Sequence, residues 1–315
     1  MTPPILYIVI PCYNEGPVLP ETGKRMMALR ERLIDEGKID ERSRIAFVDD
    51  GSKDDTWAVI DALAALEGVE GIKLARNAGH QNALWAGMMT AREHCDALIS
   101  IDADLQDDLE AIPKFLDAYQ DGADIVYGVR SKRDTDTAFK RMTARGFYTF
   151  MRKMGVNVVY DHADYRLLSR RALDALSEFT EVNLFLRGMV PLLGFKSAEV
   201  TYERRERFAG ETKYPLKKMI ALALQGITSF SVKPIQWITL AGGVCAFAGV
   251  IIALYALISL IAGHAVPGWT SLMISIWIIG GIQLIALGLI GEYIGRIYTE
   301  TKRRPRYIIE TYKRS

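Results

Sequence analysis

Asp102 and Asp104 stand two residues apart at the end of a short apolar run, Leu98 to Ile101, and are followed by Gln106, Asp107 and Asp108. In extended backbone two such carboxylates project to one side, where they could hold a hard divalent cation, Mg2+ or Mn2+, through oxygen. A cation held there would bridge a diphosphate and offset the charge that grows on it as a leaving group, without proton transfer. Short acidic turns are common on surfaces, so the weight of this pair comes from its place after an apolar run. Asp49 and Asp50 close another such run, before Gly51 and Ser52. Turn and cap chemistry accounts for that pair, while two adjacent acids at a strand end also suit a nucleobase N–H and a ribose hydroxyl. Tyr13, beyond Pro11, has a ring that could stack on a base or simply pack.

The elements that must position these residues follow from hydrophobic patterning. Ile5 to Ile10, Arg44 to Asp49, Gly71 to Leu74, Ala97 to Asp102 and Asp124 to Gly128 read as strands. Between them, Val18 to Leu33, Thr56 to Leu66, Gln81 to Arg92 and Leu109 to Tyr119 read as helices. This alternation predicts an α/β domain with a mostly parallel sheet, in which ligands bind beyond the carboxyl ends of the strands. Those ends read PCYNE, DDGS, ARNAG and DADLQDD.

The global charge is balanced, Lys+Arg 39 against Asp+Glu 38, which gives no reason to expect nucleic acid as a partner. Its distribution is uneven. No Asp, Glu, Lys or Arg occurs between Ile235 and Gly291. As a helix, Ile235 to Ile261 spans roughly 40 Å, enough to cross a bilayer with tilt. Trp269 to Gly291 is a second such run, whereas buried core helices are normally shorter and carry a polar stripe. Lys213, Lys217, Lys218 and Lys233 precede the pair, and Arg296, Lys302, Arg303, Arg304 and Arg306 follow it. The intervening loop has neither Lys nor Arg, so the positive-inside tendency predicts a transmembrane hairpin with both flanks cytoplasmic. Leu216, Ile220, Leu224 and Ile227 lie at helical spacing with Lys217 and Lys218 beside them, as in an interfacial helix or one packed on the soluble domain. The expected organisation is a catalytic domain over 1–214, an interfacial helix over 215–233, a hairpin over 234–295 and a basic cytoplasmic tail over 296–315. Cys12, Cys95 and Cys245 are too scattered for a disulfide framework or zinc site, and the apolar run Ile5 to Ile10 is too short for a signal peptide.

The runs PCYNE, VDDGSKDDT, RNAGHQNAL, DADLQDDLE, DYRLLSRRAL and RFAGETKY, in this order before a terminal hairpin, resemble family 2 glycosyltransferases with a GT-A, Rossmann-like fold. More narrowly they resemble the polyprenyl-phosphate branch, which includes dolichyl-phosphate mannose synthases and bactoprenol glucosyltransferases. The resemblance implies inverting transfer of a sugar from a nucleotide-sugar donor to polyprenyl (undecaprenyl) phosphate at a bacterial plasma membrane. It further implies that Pro11, Tyr13, Glu15, Asp49 and Asp50 hold the nucleoside, that Asp102 and Asp104 hold metal and diphosphate, and that Gln106 lies beside the sugar. Glucose from UDP-glucose is the expected donor group, with mannose, N-acetylhexosamine and aminoarabinose as alternatives. A homo-oligomer anchored in membrane lipid is the expected assembly.

A lipid monophosphate ionises for the second time near pH 6, so the acceptor is already an anionic nucleophile at neutral pH and needs cations more than a base. Candidate cations are Arg130 with Ser131, Lys132 and Arg133, then Arg166, and then Arg204, Arg207 and Lys213, with the loop Ser131 to Phe139 expected to close over substrate. Asp164 occupies a place where some relatives carry an acid proposed as catalytic base; orientation of the sugar or of Arg166 is the expected role. Asp161 and His162 are neighbouring alternatives, and His80 either reaches the diphosphate or is structural. A processive polysaccharide synthase would carry a Gln, two residues, Arg, Trp signature and more spans, and no Trp here follows an Arg. A non-catalytic scaffold or flippase would have no need for acids at successive strand ends.

Overall fold

The computed structural model of the chain describes residues 2–130, 162–182, 184–203, 233–262 and 268–314. The first apolar run becomes β1 (Leu6–Cys12), buried along its whole length as a central parallel strand must be. It pairs in parallel with β2 (Arg44–Asp49) on one side and β4 (Ala97–Ser100) on the other, and β2 pairs in parallel with β3 (Val69–Leu74). Crossovers run through α1 (Leu19–Asp35), α2 (Thr56–Leu63) and α3 (His80–Arg92). α4 (Ala111–Gln120) then leads to β5 (Ile125–Arg130). These elements lie within a few residues of their expected places. Gly87 seats α3 against the sheet: a Cβ there would come within 2.4 Å of Val9 Cγ1 and 2.7 Å of Val48 Cγ2. That close seating fixes the start of α3, where His80 and Gln81 sit.

β6 (His162–Ser169) enters antiparallel between β4 and β5, followed by α5 (Arg170–Ser177) and by α6 (Leu186–Met189), which runs into a 3-10 turn. β7 (Ser197–Tyr202) adds in parallel outside β5. The sheet order is β7-β5-β6-β4-β1-β2-β3-β8, a mixed but mostly parallel arrangement of the GT-A, Rossmann-like kind. Because β6 runs backwards, its first residues reach the edge where the parallel strands end.

The last strand corrects one expectation. The segment 296–315 is not a free basic tail: its first residues complete a long helix, and β8 (Ile309–Arg314) pairs antiparallel with β3. An edge strand with an exposed face tolerates Glu310, Lys313 and Arg314, which is why its sequence reads as a tail. The strand is fastened by Lys73–Glu310 at 2.9 Å, by a Lys313–Asp61 pair, and by Glu70, buried on β3. Glu70 accepts from Tyr7 Oη at 3.1 Å and Tyr312 Oη at 2.8 Å and pairs with Arg314 Nε at 3.3 Å. A fragment ending before the two long helices would leave Glu70 with Tyr7 alone.

Those helices, α7 (Lys233–Ile261) and α8 (Trp269–Thr301), form a unit separate from the sheet and its helices. Leu240, Phe247, Leu254 and Ile258 of α7 and Leu272, Ile276, Leu284 and Leu287 of α8 are exposed. At the far end of α8, Glu292 pairs with Arg296 at 3.1 Å. Counted over the described residues alone, no helix is long and apolar enough to cross a membrane. The opposing observation is the sequence of α7, 29 residues in which Lys233 is the one ionised group. The expected interfacial helix over 215–233 lies outside the described residues, save Lys233, which begins α7.

Candidate active site

The loops after β1, β2 and β3 are laced into one surface. Asn14 N donates to Ser52 Oγ at 3.0 Å, Lys53 N to Asn14 Oδ1 at 2.9 Å, and Glu15 N to Thr56 Oγ1 at 2.9 Å. Gly51 has φ 64°, and a Cβ there would lie 2.5 Å from Asn77 N, so the third loop can press against the second only with glycine present. Asp50 holds that contact: its carboxylate accepts from Ala78 N at 2.7 Å and Gly79 N at 3.0 Å. Burial raises its pKa, against those two N–H donors. Asp49 is fully buried; its Oδ1 accepts from Ser52 N at 3.1 Å, and Oδ2 has no hydrogen-bond partner among the described residues. Pro11 is buried, Glu15 half-buried and Tyr13 exposed at 42%, its ring open to a stacking partner.

Beyond β4 the backbone turns instead of running extended, so the alternation expected for Asp102 and Asp104 does not hold. Leu105, buried, takes φ 57°, a left-handed conformation costly for a leucine. Asp104 is buried and accepts from Gln106 N at 3.2 Å, and the Gln106 side chain is buried as well. Asp102 keeps a partly exposed carboxylate. Burial first, then Asp107, Asp164 and Asp104, push its pKa up to about 6, with His80 opposing them. A divalent cation would relieve the crowding of this acid by its neighbours, which His80, 3.8 Å away, offsets in part. Among the described residues no three His, Cys, Asp or Glu gather into a cluster that could hold a metal ion; Asp102 and Asp104 offer the oxygen donors that Mg2+ or Mn2+ prefers.

The register pairing Ser100 with Arg166 carries Asp102 toward Asp164 across the β4–β6 ladder. Asp164 is the most heavily partnered acid of the site. Arg166 Nη2 pairs closely with it, Arg187 Nη2 lies at 3.3 Å, Gln81 Nε2 donates at 3.2 Å, and His80 Nε2 stands at 3.5 Å. Ser100 Oγ also donates to its backbone carbonyl. Burial works against its ionisation, but the His80 hydrogen bond and the Arg187 and Arg166 charges outweigh it and hold its carboxyl well below the usual range. For His80, burial disfavours protonation, but Asp164 and Asp102 overcome this and raise its pKa. Asp164 is therefore an anchor for cations and a poor proton acceptor.

Arg166 departs from its expected role. It is 1% exposed and committed to Asp164 and, at 3.3 Å, the carbonyl of Leu186, so it acts inside the protein and not on a ligand. The cation that does face outward is Arg187, with 37% of its side chain exposed. Sequence reasoning missed it because Leu184 to Gly188 has no periodicity or motif. Gln81, also missed, accepts from Leu186 N at 3.1 Å and so ties α3 to α6; it sits inside the run RNAGHQNAL. Arg130 ends β5 within reach of Asp107 at 3.5 Å and Tyr202 at 3.3 Å. Arg204, Arg207, Lys213, Asp161 and the loop Ser131 to Phe139 lie outside the described residues.

The sheet order and the charged groups at its carboxyl edge define an α/β protein of the GT-A class. Within that class the sequence is specific. Glycosyl transferase family 2 matches residues 7–177. The uncharacterized glycosyltransferase YkoT of Bacillus subtilis is 54% identical over 98% of this chain and 91% of its own. A prophage bactoprenol glucosyl transferase homolog of Escherichia coli is 41% identical over 98% of this chain and 99% of its own. Among solved structures, glucosyl-3-phosphoglycerate synthase of Mycobacterium tuberculosis in complex with Mn2+, UDP-glucose and phosphoglyceric acid aligns at TM-score 0.46 and 18% identity, covering 71% of this chain and 78% of that one. The chain belongs to glycosyl transferase family 2 and is a glycosyltransferase.

Proposed function

We propose that the chain transfers glucose from UDP-glucose to polyprenyl phosphate, with inversion at the anomeric carbon. The observation that carries this reading is the division of charge at the carboxyl edge. Asp102, crowded by neighbouring acids, marks the donor side, and Arg187, facing outward above the anion of Asp164, marks the acceptor side. An acceptor that arrives already ionised suits such a site, because Asp164, held as an anion by its cationic partners, is a poor proton acceptor. The acceptor phosphate oxygen attacks the anomeric carbon with its own lone pair. The bond from that carbon to the donor phosphate oxygen breaks, and the nucleoside diphosphate leaves with those electrons.

Asp102, with Asp104 bracing its turn, would hold Mg2+ or Mn2+, which when bound offsets the negative charge of the leaving diphosphate. Asp49 Oδ2, lacking a partner, suits a nucleobase N–H, and Tyr13 a stacked base, with Pro11, Glu15 and Asp50 shaping the same loop. Gln106 lies in the turn beside the sugar position. Arg187 and Arg130 receive the acceptor phosphate, joined by Arg204, Arg207 and Lys213. The relatives named for bactoprenol glucosyl transfer, near 40% identity over almost their full length, support the lipid acceptor and the glucose.

α7 and α8 cross a bacterial plasma membrane as a hairpin in this reading, their exposed apolar faces against lipid or a second copy. It is supported by the absence of Asp, Glu, Lys and Arg from Pro234 to Gly291 and by the basic residues flanking that stretch. The chain also leaves the catalytic sheet and returns to it as β8, which requires an even number of crossings. The test is incubation of membranes bearing the protein with undecaprenyl phosphate and each of several labelled nucleotide sugars. A single labelled glucose on the lipid is the expected product. Labelled mannose or N-acetylhexosamine would move the sugar assignment, a polymer would favour a processive synthase, and no lipid product from any donor would sink the reading.

A further inference from the structure

Arg130 is not left to find its own orientation. It is the last residue of β5, and the parallel register sets it beside Tyr202, the last residue of β7. The Tyr202 ring is fixed edge-on against Tyr165 with centroids 5.1 Å apart, and Tyr165 in turn packs on Phe115 at 4.7 Å. From that anchored ring the hydroxyl donates to Asp107 Oδ1 at 2.6 Å. The same oxygen faces Arg130 Nη2 at 3.5 Å, while Arg130 Nε faces the Tyr202 hydroxyl at 3.3 Å. Asp107 is 3% exposed, and its Oδ2 has no hydrogen-bond partner among the described residues. A buried carboxylate kept with one oxygen unsatisfied is costly, and retaining it next to a guanidinium calls for a reason beyond packing.

The place of Asp107 in the chain supplies one. It belongs to the loop that carries Asp102 and Asp104, whereas Arg130 closes β5. Asp107 therefore joins the loop on the donor side to the cation on the acceptor side. An arginine presents five N–H donors in a planar fork, and the two turned toward Asp107 and Tyr202 orient the rest. The Arg130 side chain remains 28% exposed. Arg130 and Arg187 also lie close enough for the charge of one to oppose that of the other, the relation expected of two cations serving one anion.

We propose that Asp107 and Tyr202 are positioning residues that aim Arg130 at the acceptor phosphate and hold it in register with the donor loop. This rests on the reading of Arg130 as an acceptor ligand. The test is steady-state kinetics of the full-length protein in detergent, varying undecaprenyl phosphate and nucleotide sugar separately, for Asp107→Asn, Tyr202→Phe, Arg130→Ala and the Asp107→Asn/Arg130→Ala pair. Tyr202→Phe removes one oxygen and keeps the packed ring, which guards against a folding artefact. Asp107→Asn and Tyr202→Phe are each expected to raise KM for the lipid on the order of tenfold, with kcat and the donor KM within about twofold of the parent. Arg130→Ala is expected to raise it by about thirtyfold, and adding Asp107→Asn to it should change nothing further. An undiminished effect of Asp107→Asn in the Arg130→Ala background, or a change in donor KM in place of lipid KM, would overturn the positioning role. If Arg130→Ala alone raises the lipid KM, only the roles of Asp107 and Tyr202 fall; if it has no effect, the acceptor reading of Arg130 fails with them.

Discussion

Two buried acid clusters occupy the same sheet and are finished differently. At the β3–β8 edge, Glu70 is met by Tyr7, Tyr312 and Arg314, so the cluster is closed from within the protein. At the carboxyl edge around β2, β4 and β6, Asp49 and Asp107 each keep an oxygen without a partner among the described residues, and Asp102 has its pKa pushed up to about 6 chiefly by burial. Asp164 is closed there by two arginines, a glutamine and a histidine, and Asp50 by the backbone N–H groups of Ala78 and Gly79. Leaving buried polar groups open costs stability, typically 1–3 kcal/mol for each. The contrast makes the first cluster structural and the second the candidate for contact with a ligand. Substitutions in the open cluster are expected to act on ligands and turnover, and those in the closed cluster on stability.

The strongest break of the comparison is Asp102→Asn. Loss of a charge that offsets the leaving group is expected to reduce turnover on the order of 10³-fold and to weaken Mn2+-dependent binding of nucleoside diphosphate. The melting temperature should stay within a few degrees or rise, since the variant relieves repulsion from Asp104, Asp107 and Asp164. Turnover near that of the parent, measured alongside calorimetric nucleotide binding, would remove Asp102 from the site. Asp104 is a less clean target than its spacing suggests, because its carboxylate also braces the strained turn at Leu105.

Asp164→Asn should strike both properties, since this acid is closed from within yet faces the open cluster. Arg166 would keep a buried charge without its counterion, a loss of about 3 kcal/mol in stability. Arg187 would lose its anchor, and misplacement of such a group is expected to cost on the order of 10²-fold in rate. The pH profile separates this from base catalysis. The Asp164 carboxyl is depressed in the folded state, so its stabilisation is present above the unfolded value near 4 and is lost only as pH falls through the lower folded value. Between pH 5.5 and 8.5 its charge is constant. kcat/KM for the lipid should therefore rise near pH 6, where the second ionisation of the acceptor and the raised Asp102 carboxyl both fall, in parent and variant alike, at different heights. Disappearance of that limb in the variant would make Asp164 the base.

Much of this was legible in the sequence, and the misses have physical causes. The parallel strands and their helices declared themselves because strands buried on both faces read as apolar runs. The acids at their ends were visible as the first polar residues after those runs. β6 was not anticipated as a strand, since it buries Asp164 and Arg166 as a pair and so defeats the rule that charge marks the surface. Arg166 was assigned outward for the same reason. Arg187, Gln81 and Tyr202 come from segments far apart in sequence, and only the sheet order brings them to one edge. β8 was hidden because a strand exposed on one edge carries the charges of a tail.

Glu70→Gln is the mildest of these changes and the sharpest check on the closed cluster. The amide keeps the volume of the carboxylate, and its oxygen can still accept from one tyrosine. The other hydroxyl can turn to accept from the new amide N–H, because a phenol serves as donor or acceptor. What cannot be replaced is the ion pair with Arg314, itself 46% exposed and therefore weakened by solvent. The expected loss is about 1–2 kcal/mol in unfolding free energy, read as a lower denaturant midpoint with an unchanged slope. Lipid and donor KM and kcat per folded molecule should match the parent, because among the described residues the partners of Glu70 are Tyr7, Tyr312 and Arg314, away from the carboxyl edge. A kinetic defect at full folding would mean that the β3–β8 edge communicates with the site, and that closure of an acid cluster does not mark it as structural.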